Sequence, residues 1–276
     1  MCIRDRPYYA EHLILATPDN GVAAAMYAAC KATVKVGDGN EISLHEQTNY
    51  PFEETIRFTV NTPKAVSFPF YLRIPSWTEG ATIFVNGKKV AANPEAGQYA
   101  CINREWKDND QVEIQLPMQL SMRTWQVNKN SVSVDYGPLT MSLKIDEDYV
   151  KKDSRATAIG DSKWQEGADA SQWPTYEIYA KTPWNYALVL GKNEPLKDFK
   201  VVHKEWPADN FPFTVASTPI EVKAIGCKVP SWVIDQYDLC SELPEMDAPK
   251  GEKEEITLIP MGAARLRVSA FPNTRE

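Results

Sequence analysis

The sequence predicts an all-β protein made of two consecutive β-sandwich-like domains. Three observations favour this fold class: strand-like segments recur about every ten residues, turn residues separate them, and no long stretch keeps a helical period. The chain has 276 residues, 43% of them hydrophobic, which is enough for two cores of ordinary size. We place the first domain at residues 8–122 and the second at residues 123–276.

The first domain opens with two predicted strands on either side of a turn at Pro18–Gly21. The segment Gly21–Cys30, GVAAAMYAAC, would also suit a helix, but the β-branched run directly after it favours a strand. Farther on, Ile56, Phe58 and Val60 alternate with polar residues, a pattern that is typical of a half-buried strand.

A hairpin is predicted at Asn86-Gly87, because this dipeptide tolerates positive φ at both turn positions. The apolar stretch 67–75 supplies a strand before it. Residues 97–118 supply two more strands around a polar turn at Lys107–Asp110.

The second domain begins with strand-like residues 123–145, interrupted at Tyr136–Pro138. A loop-rich insertion is predicted near residues 145–174, where Gly, Ala, Ser and Asp are frequent. Strands resume over residues 175–190, and two short strands are expected within residues 254–272.

Composition excludes several classes of function. The formal net charge is -7 and Lys and Arg form no cluster, which argues against a nucleic-acid partner. No apolar run approaches the roughly 20 residues that a membrane-spanning helix needs.

The cysteines and histidines show no metal-ligand spacing, so no metal site is predicted. Buried free thiols are the expected state, with a Cys227–Cys240 disulfide as the alternative. The cysteines are Cys2, Cys30, Cys101, Cys227 and Cys240, and the histidines are His12, His45 and His203.

The first residues, MCIRDR, lack the apolar core of a signal peptide. They read like a translated sequencing adaptor, as found in metagenomic assemblies. We therefore predict that residues 1–7 are a non-native start and that the natural sequence joins near Pro7. Localisation stays open, and a bacterial periplasmic or extracellular address is compatible with the sequence.

A series of segments carries a resemblance to a known family. In chain order they are QTNYPFEETIRFTV, FYLRIPSW, VNGKKV, GQYACINREWKDNDQVEIQLPM, VDYGPL, PWNYAL, PIEVKAIGCKVPSW and ITLIPMGAARLRVSAFP. No single segment is specific, but their ordered succession from about Tyr9 to Pro272 resembles the C-terminal part of glycoside hydrolase family 127. These β-L-arabinofuranosidase-like proteins were formerly grouped as a domain of unknown function.

The resemblance implies two β-sandwich domains that follow a catalytic (α/α) toroid. In the family, a zinc-bound cysteine acts as nucleophile and a glutamate as acid/base, within a Glu-x-Cys element and a later Cys-Cys pair. This chain contains neither element. We therefore predict a truncated piece without catalytic residues, metal ligands or cofactor. The resemblance implies that the parent holds zinc in the missing domain and hydrolyses terminal β-L-arabinofuranosyl or related sugars.

The segment KTPWNYAL brings an indole, an amide and a phenol together at Trp184, Asn185 and Tyr186. These residues are the candidates for contact with a sugar or with the missing domain. The competing interpretation is that Trp184 anchors a core and Asn185 satisfies a turn. Trp77 and Trp232, each after Pro-Ser, are expected to pack at the ends of the sandwiches.

The predicted function is a non-catalytic accessory region of a family 127-like glycosidase, inactive by itself. The first alternative is a carbohydrate-binding module, and the second is a self-contained hydrolase. The predicted partners are the missing N-terminal catalytic domain of the same protein and plant-glycan oligosaccharides. The segment YYAEHLILA is expected to expose apolar side chains at Tyr8, Tyr9, Leu13 and Leu15, and so to promote self-association.

Overall fold

The structure, a computed structural model, describes residues 5–91, 94–153, 169–236, 239–248 and 250–275. The chain divides into two compact units. Unit 1 comprises residues 1–119 with 136–138, and unit 2 comprises residues 120–135 and 139–276. Strands dominate both units, which confirms the predicted all-β fold class. No helix among the described residues is long and apolar enough to cross a bilayer.

Unit 1 contains two sheets that follow a short helix, α1 (Asp5–Glu11). One sheet has the strand order β1-β2-β6-β9 and the other β3-β4-β5-β10-β7-β8. The strands are β1 (Ile14–Ala16), β2 (Val22–Ala24), β3 (Cys30–Val36), β4 (Asn40–Gln47), β5 (Thr55–Asn61), β6 (Val66–Arg73), β7 (Thr82–Val85), β8 (Lys88–Lys89), β9 (Tyr99–Trp106) and β10 (Asp110–Gln115).

The core of unit 1 lies between these two sheets. Alternate residues of β5 point inward, and Phe58 packs edge-on against Phe70 of the other sheet, with ring centroids 5.3 Å apart. Trp106 is fully buried and donates from its indole N–H to the Phe68 carbonyl at 3.0 Å. Burial of each such side chain contributes roughly 1.5–3 kcal/mol, so the inward-facing residues of the two sheets stabilise unit 1.

The hairpin at Asn86-Gly87 forms as predicted. Both residues have positive φ, 49° and 75°, and β7 pairs with β8 across them. The Asn86 side chain donates to Asp110 Oδ1 at 2.8 Å and accepts from the Gln111 N–H. The turn is therefore attached to β10, which fixes the register of the sheet at this point.

Unit 2 is built on an eight-stranded sheet and a separate two-stranded sheet, β14-β15. The large sheet runs β11-β12-β13-β19-β18-β16-β20, and β17 also pairs with β18. The strands are β11 (Leu120–Trp125), β12 (Ser131–Tyr136), β13 (Leu139–Leu143), β14 (Glu147–Lys152), β15 (Thr175–Ala180), β16 (Tyr186–Leu190), β17 (Lys200–His203), β18 (Ile220–Lys228), β19 (Lys253–Pro260) and β20 (Asn273–Arg275). Short 3-10 helices lie at Ala170–Gln172 and Met261–Ala263.

The structure differs from the sequence prediction in several segments. Of the predicted strand Gly21–Cys30, only Val22–Ala24 and Cys30 belong to strands. The N-terminal segment begins with α1 rather than a strand, and the strand β1 starts only at Ile14. Within the predicted insertion 145–174, β14 forms a ladder with β15, because cross-strand pairing satisfies its backbone groups despite its polar composition. Residues 154–168 of that insertion lie outside the described residues.

Candidate functional site

The predicted candidates Trp184, Asn185 and Tyr186 lie together at the start of β16. The Trp184 ring meets the buried Trp232 ring edge-on at 5.0 Å. The Asn185 side-chain amide donates to the backbone carbonyls of Val229 and Trp232 at 3.0 and 3.1 Å. Both residues therefore hold the segment after β18 against β16.

Tyr186 is buried, and its hydroxyl donates to Glu254 Oε1 at 3.0 Å. Burial and this hydrogen bond raise the pKa of Tyr186 to about 12. Lys228 pairs with the same carboxylate at 3.2 Å. These contacts are structural, and sugar contact by the three candidates stays a prediction.

A second cluster of reactive side chains lies at the cross-strand pair Cys30 and Glu46 in unit 1. Glu46 follows Ile42 and Leu44 on the inward face of β4 and is only 1% exposed. Its Oε1 accepts from the Ala28 N–H at 3.0 Å, and its Oε2 accepts from the Cys30 thiol at 3.6 Å. The carboxyl group therefore holds the segment just before β3 against β4 through hydrogen bonds.

Burial raises the pKa of Glu46 to about 8, although the two hydrogen bonds act in the opposite direction. Burial and then the charge of Glu46 raise the pKa of the Cys30 thiol to about 11. Tyr9 lies within electrostatic range, since burial and then the Glu46 charge also raise the pKa of Tyr9. At neutral pH this pair is therefore largely uncharged.

An acid with a pKa near 8 suits general acid catalysis, but a substrate cannot reach a carboxyl group that is buried to this degree. The pair by itself also falls short of a zinc site, because it offers two side-chain ligands where zinc takes three or four from the protein. The part of the chain that the structure describes contains no group of three His, Cys, Asp or Glu residues arranged to hold a metal. We interpret Cys30 and Glu46 as a structural pair.

The remaining cysteines correct one prediction. Cys227 and Cys240 form no disulfide with each other, so the alternative of a bond between them is wrong. Cys227 is buried on β18 with its thiol 3.8 Å from the Ala187 carbonyl, whereas Cys240 is exposed. Cys101 is exposed too. Of Cys101, Cys227 and Cys240, only Cys227 is buried as expected. Cys2 lies outside the described residues.

A polar cleft of about 360 Å³ crosses the outward face of the six-stranded sheet of unit 1. A cross-strand row runs through it, from Gln47 on β4 to Arg57 on β5, Glu113 on β10 and Phe84 on β7. Arg57 Nε pairs with Glu113 Oε2 at 2.8 Å, and Gln115 donates to Glu113 Oε1 at 2.9 Å. Sequence reasoning missed this site, although the outward polar positions of β5 were visible.

A second, more open cleft lies on the outward face of the four-stranded sheet. Tyr71 and Tyr99 line it together with Asp19, which accepts from the Tyr71 hydroxyl at 2.6 Å. That bond and partial burial raise the pKa of Tyr71.

The fold and these sites define the class of protein: an all-β chain of two units, the first of which carries clefts on its outward sheet faces. Residues 21–118 match the family model described as Beta-L-arabinofuranosidase, GH127 middle domain. The predicted resemblance to glycoside hydrolase family 127 is thereby confirmed. Comparison with the curated proteins gives no match.

Solved structures share the fold over most of the chain. A GH127 β-L-arabinofuranosidase from Geobacillus stearothermophilus T6 is 21% identical with a TM-score of 0.61, over 96% of this chain and 35% of that one. A structure described as a glycoside hydrolase is 22% identical with a TM-score of 0.58, over 93% and 36%. A GH127 β-arabinofuranosidase is 20% identical with a TM-score of 0.58, over 94% and 36%. The chain thus spans about a third of the length of each.

Proposed function

We propose that this chain is a non-catalytic accessory region of a family 127-like glycoside hydrolase. The match of residues 21–118 to the middle-domain model carries this proposal. The likeness in fold to about a third of each matched structure supports it, because the remaining two thirds leave room for a separate catalytic domain.

The non-catalytic role is supported by the residues themselves. A glycosidase needs an acid for the leaving oxygen and a base or nucleophile at the anomeric carbon. The chain lacks the Glu-x-Cys and Cys-Cys elements that the family uses. The hydrogen-bonded carboxyl–thiol pair of Glu46 with Cys30 is closed off by burial.

The parent protein is proposed to hydrolyse terminal β-L-arabinofuranosyl or related sugars, with zinc in its catalytic domain. The partner of this chain is then the catalytic toroid of the same polypeptide, with plant-glycan oligosaccharides as the substrate. Its role is to support that domain and to shape access to it.

A carbohydrate-binding module that works through a flat row of aromatic rings has less support. Tyr149 and Tyr176 are half exposed on the β14-β15 sheet, but their ring planes stand at 76° to each other. Trp232 is buried, and Trp77 and Trp184 pack against the cores of their units.

The test is to recover the genomic sequence upstream of Pro7 and to express the longer polypeptide. We expect an open frame that continues upstream and carries a Glu-x-Cys element and a Cys-Cys pair. The longer protein should hydrolyse aryl β-L-arabinofuranosides, and the 276-residue chain should not. An upstream frame without these elements would contradict the proposal.

A further inference from the structure

The polar cleft of unit 1 has the features of a small-molecule site. Its volume of about 360 Å³ lies in the usual range of ligand pockets, roughly 300–1,000 Å³. Adjacent strands are about 4.8 Å apart, so a row of four residues across four strands is roughly 14 Å long. Gln47, Arg57, Glu113 and Phe84 form that row, which has the length of a short oligosaccharide.

The side chains that line the cleft include both hydrogen-bond donors and hydrogen-bond acceptors. The Gln47 amide offers donors and an acceptor, and the Arg57 guanidinium carries further N–H groups besides the Nε that binds Glu113. Thr59 adds a hydroxyl group to the lining, and Gln111 adds a second amide. Sugar hydroxyl groups both donate and accept, so they need such a mixed lining.

The charges in the cleft compensate each other. Arg57 and Glu113 form an ion pair at 2.8 Å, and Gln115 accepts from the Thr82 hydroxyl at 3.3 Å while it donates to Glu113. This network holds the carboxylate in place and leaves no net charge at the centre of the row. A neutral ligand therefore fits better than an anion such as a phosphate or an acidic sugar.

Phe84 supplies an apolar surface at one end of the row. It is partly exposed on β7, directly across from Glu113 on β10. An aromatic ring beside polar side chains suits the C–H face of a pyranose or furanose ring, whose hydroxyl groups point outward.

We propose that the cleft crossed by Gln47, Arg57, Glu113 and Phe84 binds an uncharged oligosaccharide. Gln47 and Arg57 bind the hydroxyl groups, Phe84 packs against a ring, and Glu113 positions Arg57. The site goes beyond the accessory role, because a chain without hydrolytic activity can still bind the glycan.

The experiment is an NMR titration of the labelled 276-residue chain with arabinotriose, and with trigalacturonic acid as the charged counterpart. We expect saturable shifts of the backbone amides around Gln47, Arg57, Phe84 and Glu113 with arabinotriose, and weaker binding of the acidic sugar. The double variant R57M/E113M removes both charges at once and should weaken binding at least tenfold. The single variant Q47A, at an exposed position, should weaken it severalfold without a change in fold.

The matched control is K152M/E177M, which removes an exposed ion pair of similar length, 3.0 Å, from the β14-β15 sheet. It should bind arabinotriose as the wild-type chain does. The proposal is overturned if no saturable shift occurs, if the shifts map to Tyr71 and Tyr99 or to Tyr149 and Tyr176, if R57M/E113M binds equally well, or if the acidic sugar binds more tightly. Absence of binding would leave the upstream-sequence test of the accessory role untouched, so the two proposals fail separately.

Discussion

The Cys30 thiol donates to the Glu46 carboxyl group at 3.6 Å, across the first pair of the β3-β4 ladder. Glu46 is almost completely buried, and burial raises its pKa to about 8 from an ordinary value of 4.5. A neutral carboxyl group of this kind couples folding to proton uptake.

The free energy of unfolding should therefore fall as the pH rises. The folded state keeps the Glu46 proton up to about pH 8, whereas the unfolded chain releases it near pH 4.5, so the folded state binds more protons between these values. We expect a loss of roughly 2–4 kcal/mol between pH 5 and pH 8, measured by urea denaturation across this range. The raised pKa of Cys30 continues the decline between pH 9 and about 11.

The variant E46Q should abolish the dependence between pH 5 and pH 8, because glutamine does not titrate. The control is E254Q. Hydrogen bonds from Lys228 and Tyr186 lower the pKa of Glu254, so that carboxylate is ionised in both states throughout the window, and the variant should keep the wild-type slope. Equal slopes for E46Q and the wild-type chain would mean that Glu46 is ionised in the folded state.

Asn185 should act as a structural residue. The variant N185A leaves the Val229 and Trp232 carbonyls without their amide donor, which should lower the free energy of unfolding by roughly 1–3 kcal/mol. N185D should cost more, since a carboxylate would face two carbonyl oxygens. Thermal denaturation measures both, with N193A at an exposed position as the control. A neutral effect of N185A would reopen Asn185 as a ligand contact.

The N-terminal segment should promote self-association. Tyr8, Tyr9 and Leu15 are exposed, and β1 is the terminal strand of its sheet. Light scattering should show a molecular mass that rises with concentration, and the variant Y8S/L15S should reduce that rise. A strictly monomeric wild-type chain at high concentration would contradict this prediction.

Leu13 is buried, contrary to expectation, so L13A should instead destabilise unit 1 by roughly 2–5 kcal/mol.

Local patterns were sufficient to predict much of the fold. The alternation at Ile56, Phe58 and Val60 and the turn at Asn86-Gly87 depend only on neighbouring residues, and both were predicted correctly. Glu46 was overlooked although the same period-two rule places it on the inward face with Ile42 and Leu44.

The cleft could not be predicted in the same way. Arg57 and Glu113 are 56 residues apart, and their contact depends on the register of β5 with β10 rather than on a local motif. The helix α1 was missed because the apolar residues after it suggested a strand from the beginning of the segment.

The central claim, that this chain contains no glycosidase site, is tested most directly by hydrolysis of para-nitrophenyl β-L-arabinofuranoside. The purified chain, C30A and E46Q are assayed with and without added zinc. We predict no release of nitrophenol above the buffer rate for any of the three. Turnover by the wild-type chain that disappears in C30A or E46Q would contradict the account.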